Sequence, residues 1–254
     1  MPGAQWFPGA QANYAQQVLR HVDAGARRGL PAIISRNEKG QAPRRLSGPS
    51  CAARWRRWRC TCKAQGVQPG DRVAAYLPNV PETMVAFLAT VSIGGVWSLC
   101  APDMGTHAVL DRFRQIEPKV LIAVRRRDLR RARPRPPGRA GRAARRSCPA
   151  CSTRCCTAIW ECYGFSSWLR SWTSATGRND HETDAFEPLW LPFDHPLWIV
   201  YSSGTTGLPK PIVHGHGGMV LVQLRWARCT TTWAAATPPT AGASATTGTA
   251  PPAG

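Results

Sequence analysis

GVQPGDRVAAYLPNVPETMVAFLATVSIGGVWSLCAPDMG, residues 66–105, decides the fold. Pro69-Gly70-Asp71 marks a turn, and the apolar run VAAYLP (73–78) has the length and composition of a short buried strand. A helix start follows. Asn79 stands just before Pro81 and Glu82, which suit a first helical turn, and Met84, Val85, Leu88 and Val91 form an apolar stripe. Gly94-Gly95 stops that helix, and VWSLC (96–100) begins a second strand with a turn behind it. Asp71-Arg72 is expected to act as a local cap or solvated pair, and Asp103 as a turn residue.

The same alternation extends outward. HAVLDRFRQIEPK (107–119) is a short amphipathic helix ended by Pro118, and KVLIAV (119–124) is a third strand. Farther on, PLWIVY (196–201) is a buried strand, a glycine and hydroxyl loop follows it, and GGMVLVQL (217–224) restarts a helix. Strands separated by helices of this length require right-handed crossovers, so the fold class is α/β, a parallel sheet with covering helices.

Two stretches break the pattern. Residues 125–180 are rich in Arg, Pro and Cys, and 227–254 in Ala, Thr, Pro and Gly; neither has an apolar period, and their composition is that of disordered chain. The formal net charge is +19, from 33 Lys and Arg against 14 Asp and Glu, yet it is concentrated in RRRDLRRARPRPPGRAGRAARRS (125–147), a block without lysine. Of the ten cysteines only Cys100 lies in a well-patterned segment. The start, MPGAQWFPGA, lacks a basic stretch leading into an apolar one, and no apolar run reaches the ~18 residues of a membrane helix. The expectation is a cytoplasmic protein without a membrane span. Trp6 and Phe7 are expected to be packing anchors.

CAARWRRWRCTC (51–62) sits where an amphipathic helix belongs. Read one base out of register, every Cys or Trp codon passes its TG to the end of the true codon, which then specifies only Leu, Val or Met. Cys51, Trp55, Trp58, Cys60 and Cys62 all become apolar, and those at 51, 55, 58 and 62 share one helical face. With GC-rich codons, residues 48–62 become WAELRRQVAALAVHL. The same shift turns CPACSTRCCTAIWEC (148–162) into LPGLLDAVLYRHLGM, and the tail around Cys229 yields to it as well. Three segments therefore have the character of out-of-frame translation of a GC-rich gene. As translated, RWRRWRC is expected to carry too much charge on every face to pack, leaving one face of the sheet bare or bound by buried charge.

The chemistry-bearing motif is YSSGTTGLPKPIVHGHGG, residues 201–218. Hydroxyls of Ser202, Ser203, Thr205 and Thr206 alternate with Gly204 and Gly207, whose backbone amides can approach an anion closely, and Lys210 adds a mobile positive charge. The arrangement suits a polyphosphate, although the spacing is not that of a Walker loop. His214 and His216 follow two residues apart; as a metal site they lack a third ligand nearby in sequence. CPAC (148–151) with Cys155, Cys156 and Cys162 has zinc-like spacing, which the reading-frame argument explains without a metal.

WFPGAQANYAQQVLRH (6–21), PAIISRNEKG (31–40), residues 66–105, VLDRFRQIEPKVLIAV (109–124) and FDHPLWIVYSSGTTGLPKPIVHGHGG (193–218) together resemble the adenylate-forming acyl-CoA synthetases. Pro211, standing after the loop lysine where most of the superfamily has Gly, is in the manner of its acetoacetate branch. The resemblance implies an ATP-dependent acid–thiol ligase that uses Mg²⁺, turns acetoacetate or a similar short carboxylate into an acyl-adenylate, and passes the acyl group to coenzyme A. It implies that Ser202, Ser203, Gly204, Thr205, Thr206, Gly207 and Lys210 wrap the β- and γ-phosphates. His214 and His216 either line the acyl or nucleotide pocket or form an ordinary turn into the helix. The resemblance identifies no catalytic residue and no metal ligand here.

The implied organisation is the N-terminal part of an AMP-binding domain over 1–124, with 48–62 aberrant, and an aberrant, basic, low-order segment over 125–186. A phosphate-loop segment occupies 187–226 and an aberrant, disordered tail 227–254. Adenine- and ribose-binding segments and the small domain that brings a catalytic lysine in the superfamily are not found after the loop, so little or no ligase activity is expected. Two other readings stay open: a basic, Arg-rich nucleic-acid-binding protein, and a non-functional fragment of a damaged gene. The Arg block lacks interleaved aromatic residues and any recognised module, so the partners expected are a small carboxylate, ATP and coenzyme A rather than nucleic acid.

Overall fold

A computed structural model describes residues 5–36, 42–123, 187–202 and 207–230, with side chains up to 225. The basic block, the second cysteine cluster and the chain beyond 230 lie outside these residues.

The central feature is a five-stranded sheet. Its first three strands come from the stretch that decided the fold: β4 (Arg72–Tyr76), β5 (Val96–Cys100) and β6 (Val120–Ala123). A fourth, β8 (Pro196–Ser202), runs parallel to β5, and β9 (Lys210–Gly215) returns antiparallel to β8, giving the order β6-β4-β5-β8-β9. Among the described residues β6 and β9 are the edges. β4 and β6 are buried on both sides, as strands of a parallel sheet covered by helices must be.

Side-chain alternation sorts the two faces. Val73, Ala75, Trp97, Val120, Ile122 and Leu197 face one core, which α4 (Pro81–Ser92) and α3 (Gly48–Ala64) cover. Ala74, Tyr76, Leu121, Ala123 and Ile199 face the other, closed by Val109, Phe113 and Ile116 of α5 (Thr106–Ile116). α4 starts where the sequence puts it, with Pro81 in the first turn, and ends before Gly94, whose φ of 79° lies in the left-handed region that glycine tolerates. α5 ends at Glu117 in a left-handed conformation just before Pro118.

Around this sheet stand two small antiparallel pairs. β2 (Pro31–Ser35) pairs with β3 (Arg44–Ser47), and β1 (Gln11–Ala12) with β7 (Leu191–Pro192). Two short helices, α1 (Tyr14–Leu19) and α2 (Val22–Arg27), lie between β1 and β2 in the chain. Asn13 is fully buried and holds this N-terminal portion down. Its Oδ1 accepts from Ala15 N, capping α1, while Nδ2 faces the carbonyls of Leu189 at 2.8 Å, Ser92 at 3.2 Å and Val91 at 3.4 Å. Phe7 has its ring 4.9 Å from that of Phe193, but Phe7 and Trp6 are both more than half exposed, so neither is the buried packing anchor expected.

α3 corrects an expectation. As translated, the segment does pack: Cys51, Trp55, Trp58 and Cys62, the four positions of the apolar face, are each 6% exposed or less, and all belong to the larger core. Arg57 is exposed, whereas Arg54, Arg56 and Arg59 are half-buried at the flanks with guanidinium nitrogens withdrawn from solvent, and burial lowers the Arg59 pKa, so the apolar face packs with buried charge beside it, as expected for the flanks but not for the face. Arg54 also lies 3.6 Å from Glu82, a buried carboxylate in the first turn of α4 that pairs with Arg44 of β3 as well. A carboxylate there complements the helix dipole and ties β3 and α3 to α4.

Asp71 is the local cap expected, and it and Arg72 also bond beyond the turn. Asp71 Oδ2 accepts from Gln68 N at 2.7 Å and from Lys119 Nζ at 2.6 Å. Arg72 donates through Nε to Ile116 O at 2.7 Å and through Nη2 to Glu117 O at 3.1 Å, satisfying carbonyls at the end of α5. The last helix, α6 (His216–Thr230), crosses from a unit ending at Val220 into a second that begins at Leu221. The described part of that second unit is helical and carries exposed Leu221, Val222 and Leu224.

Candidate functional site

β8 delivers the motif. Leu197 and Ile199 are buried but Val200 is exposed, so the strand expected to be buried alternates instead, and the Ser98 hydroxyl of β5 donates to Ile199 O at 3.0 Å. The chain leaves the sheet at Ser202 and returns at Lys210, and these two are register partners in the β8–β9 ladder, followed inward by Tyr201↔Pro211, Val200↔Ile212, Ile199↔Val213 and Trp198↔His214. The sequence of the expected glycine and hydroxyl loop thus connects two antiparallel strands. The sequence places no strand between this loop and the helix, yet Lys210–Gly215 is one. Its sequence gives little sign of this: a strand headed by Lys-Pro and ended by Gly resembles linker, and only pairing with β8 makes it an edge, the place where a proline is tolerated.

Ser202 and Lys210 are both exposed, and their partnership puts the two side chains on one face of the hairpin, the face that also carries Trp198 and His214. Gly207 has φ 142°, open only to glycine, and a Cβ there would meet nothing within 4 Å, so the glycine is required by backbone conformation and not by crowding. Ser203, Gly204, Thr205 and Thr206 lie outside the described residues.

The two histidines part company. His214 is half-buried on β9, and its Nδ1 accepts from Trp198 Nε1 at 2.7 Å, which places the ring proton on Nε2. His216 is fully buried at the start of α6. Its Nδ1 accepts from Tyr14 N at 3.0 Å and its backbone N donates to His195 O at 2.9 Å. Burial, and secondarily the neighbouring His195 with its ring 5.7 Å away, push the His216 pKa down to about 3, so this ring stays neutral.

Tyr201, next to Ser202, turns to the opposite face of the sheet. Its hydroxyl donates to Arg112 O of α5 at 2.7 Å, and the Arg112 guanidinium stands 5.6 Å from the ring centroid. Burial foremost, with Cys100 nearby, raises the Tyr201 pKa to about 12, so the phenol keeps its proton. Burial likewise raises the Cys100 thiol to about 11, leaving it an inert core residue. Gln115 of α5 reaches the other stem, donating to Pro209 O at 3.0 Å. Sequence reasoning missed these α5 residues because helical periodicity sets Arg112 and Gln115 beside the apolar stripe, where solvated residues are expected. Among the described residues no group of three or more His, Cys, Asp or Glu could hold a metal ion, and no helix is long and apolar enough to cross a membrane.

The described sheet is α/β, with parallel strands and one antiparallel edge, and its fourth strand leads into a glycine and hydroxyl sequence opposite an exposed lysine. The chain belongs to the family of AMP-binding enzymes, which matches it over residues 23–251. It is 38% identical over 237 residues to an acetoacetyl-coenzyme A synthetase of Rhizobium meliloti (strain 1021), a match covering 89% of this chain and 34% of that protein. An acetoacetyl-CoA synthetase of Xenopus tropicalis is 32% identical over 228 residues, covering 87% of this chain and 33% of its own. Among solved structures, acetoacetyl-CoA synthetase from Streptomyces lividans matches with a TM-score of 0.68 and 38% identity over 89% of this chain and 34% of that one. The chain spans about a third of the length of these relatives.

Proposed function

We propose that this chain contributes the triphosphate-binding part of an ATP-dependent acid–thiol ligase acting on acetoacetate or a similar short carboxylate. The observation that carries the reading is the Ser202–Lys210 register pair, with a glycine and hydroxyl sequence between the two. In the reaction proposed, a carboxylate oxygen attacks the α-phosphorus of ATP and pyrophosphate leaves. The thiol of coenzyme A then attacks the acyl carbon of the adenylate, and AMP leaves. The residues that would face the β- and γ-phosphates are Ser202, Ser203, Gly204, Thr205, Thr206, Gly207 and Lys210. Donors held at the departing pyrophosphate lower the barrier because negative charge grows there in the transition state.

Magnesium, if bound, would supply charge neutralisation at the phosphates; among the described residues no group of three or more His, Cys, Asp or Glu is placed to hold it. His214, on the same face as Lys210, is the better placed of the two histidines to meet substrate. His216, having no exposed surface, would serve by fixing the start of α6 through Tyr14. The similarity to two acetoacetyl-CoA synthetases supports the choice of acyl group.

The test is ATP binding by calorimetry together with ATP–pyrophosphate exchange in the presence of acetoacetate, malonate or acetate. Saturable binding that is lost in a Thr205→Ala/Thr206→Ala/Lys210→Ala variant, and exchange favouring acetoacetate wherever exchange occurs, are the expected results. Absence of ATP binding by folded protein overturns the assignment.

A further inference from the structure

α5 touches both stems of the hairpin. On the incoming stem, the Tyr201 hydroxyl donates to Arg112 O and the Arg112 side chain lies over the phenol ring, steadied by its own Nη1 donating to Ala108 O at 2.6 Å. On the outgoing stem, Gln115 Nε2 serves two acceptors, Pro209 O at 3.0 Å and Asp111 O at 2.6 Å, so both amide hydrogens are used. Arg112 and Gln115 stand three apart, on one side of the helix. α5 is itself held at both ends by β4. Arg72 binds the carbonyls of Ile116 and Glu117, and the Tyr76 hydroxyl lies 2.7 Å from Pro102 O and 3.0 Å from Met104 O, just before the helix begins. Val109, Phe113 and Ile116 fix its inner face against the sheet.

We propose that Gln115 and Tyr201 are positioning residues: Gln115 bonding from α5 to Pro209 O, and Tyr201 bonding onto α5 at Arg112 O, hold the two stems of the hairpin at a set separation, so that Ser202 and Lys210 meet the nucleotide phosphates without first having to be ordered. The proposal rests on the reading of this hairpin as a triphosphate site. The physical ground is the cost of ordering. A hairpin turn leaving an edge strand is free to splay, and every degree of freedom frozen by the ligand is subtracted from affinity. Two hydrogen bonds to a helix that is anchored at both ends remove that freedom beforehand. Gln115 is exposed, and Pro209 O is the carbonyl immediately before Lys210, so the bond bears directly on the lysine's backbone while contributing little to the core.

The experiment uses the full chain and three variants: Gln115→Leu, which loses the donor; Gln115→Lys, which keeps one; and Gln115→Leu combined with Tyr201→Phe. Amide hydrogen exchange at Leu208 and Lys210 is measured without nucleotide, and ATP affinity by calorimetry. In Gln115→Leu, exchange at these amides should rise and ATP affinity fall by about threefold to tenfold, with Tm within ~2 °C of the parent. The double variant should lose more, and Gln115→Lys should recover most of both. Unchanged exchange in the double variant overturns the clamp. Faster exchange with unchanged affinity overturns its role toward the nucleotide. A parent chain that binds no ATP sinks the triphosphate reading itself, a result separable from the exchange data, which judge the clamp alone.

Discussion

Ser202 and Lys210 face each other as the outermost partners of the β8–β9 ladder, and the sequence between them begins with the glycine and hydroxyl run Ser203–Gly207. The lysine is therefore not simply near the glycine and hydroxyl run in sequence: the antiparallel ladder carries it back to the point at which that run begins.

Replacing Lys210 with Ala should weaken ATP binding about tenfold, the worth of one charge-assisted contact to phosphate, while Lys210→Arg keeps a cation and loses less. Because the side chain is exposed, neither change should move Tm by more than ~2 °C. Calorimetric titration beside thermal denaturation distinguishes a binding defect from a folding defect.

Asn13 should be among the most sensitive polar positions of the fold. Asn13→Ala removes the cap of α1 and strips a partner from buried carbonyls at the end of α4 and at Leu189, a loss of about 3 kcal/mol in chemical denaturation. Asn13→Asp keeps the cap but points a carboxylate at those carbonyls. Its folded-state pKa should rise, so this variant should be stabler near pH 4 than at pH 7, the reverse of the parent's trend.

His216 predicts acid sensitivity. Its folded pKa of about 3 lies below the ordinary 6.5, so the unfolded chain takes up a proton in the interval that the folded chain refuses. The stability it contributes is complete above pH ~6.5 and declines as pH falls toward 3, at up to about 1.4 kcal/mol per pH unit. His216→Asn retains an acceptor for Tyr14 N without titrating. A denaturation series from pH 7.5 to 5 should show a shallower decline for that variant, and parallel curves would count against the assignment.

Trp55 tests whether α3 is a packed helix. It is 2% exposed in the larger core, so Trp55→Ala should cost about 3–5 kcal/mol, enough to unfold a marginal domain at 37 °C. Arg57→Ala, on the solvent side of the same helix, should change stability by less than ~0.5 kcal/mol. Urea midpoints for the pair make the comparison.

Local pattern carried much of this protein. The turn at Pro69-Gly70-Asp71, the apolar runs of β4, β5 and β6, the stripe and stop signals of α4, and the hydroxyl and glycine alternation at 202–207 are all properties of neighbouring residues, and helix and strand periods are set by neighbours. Even the buried face of α3 was legible, because positions 51, 55, 58 and 62 share a helical face whatever side chains fill them; that Trp and Cys would satisfy it was not. What tertiary structure alone decided is long-range pairing. Lys210–Gly215 is a strand only because β8 offers it an edge; Asn13 matters only because the chain at 91, 92 and 189 folds back to it; and Gln115 reaches Pro209 across 94 positions of sequence. Such partners satisfy backbone groups that the local segment leaves open, and which distant group arrives is a property of the packed sheet and helices, not of any window of sequence.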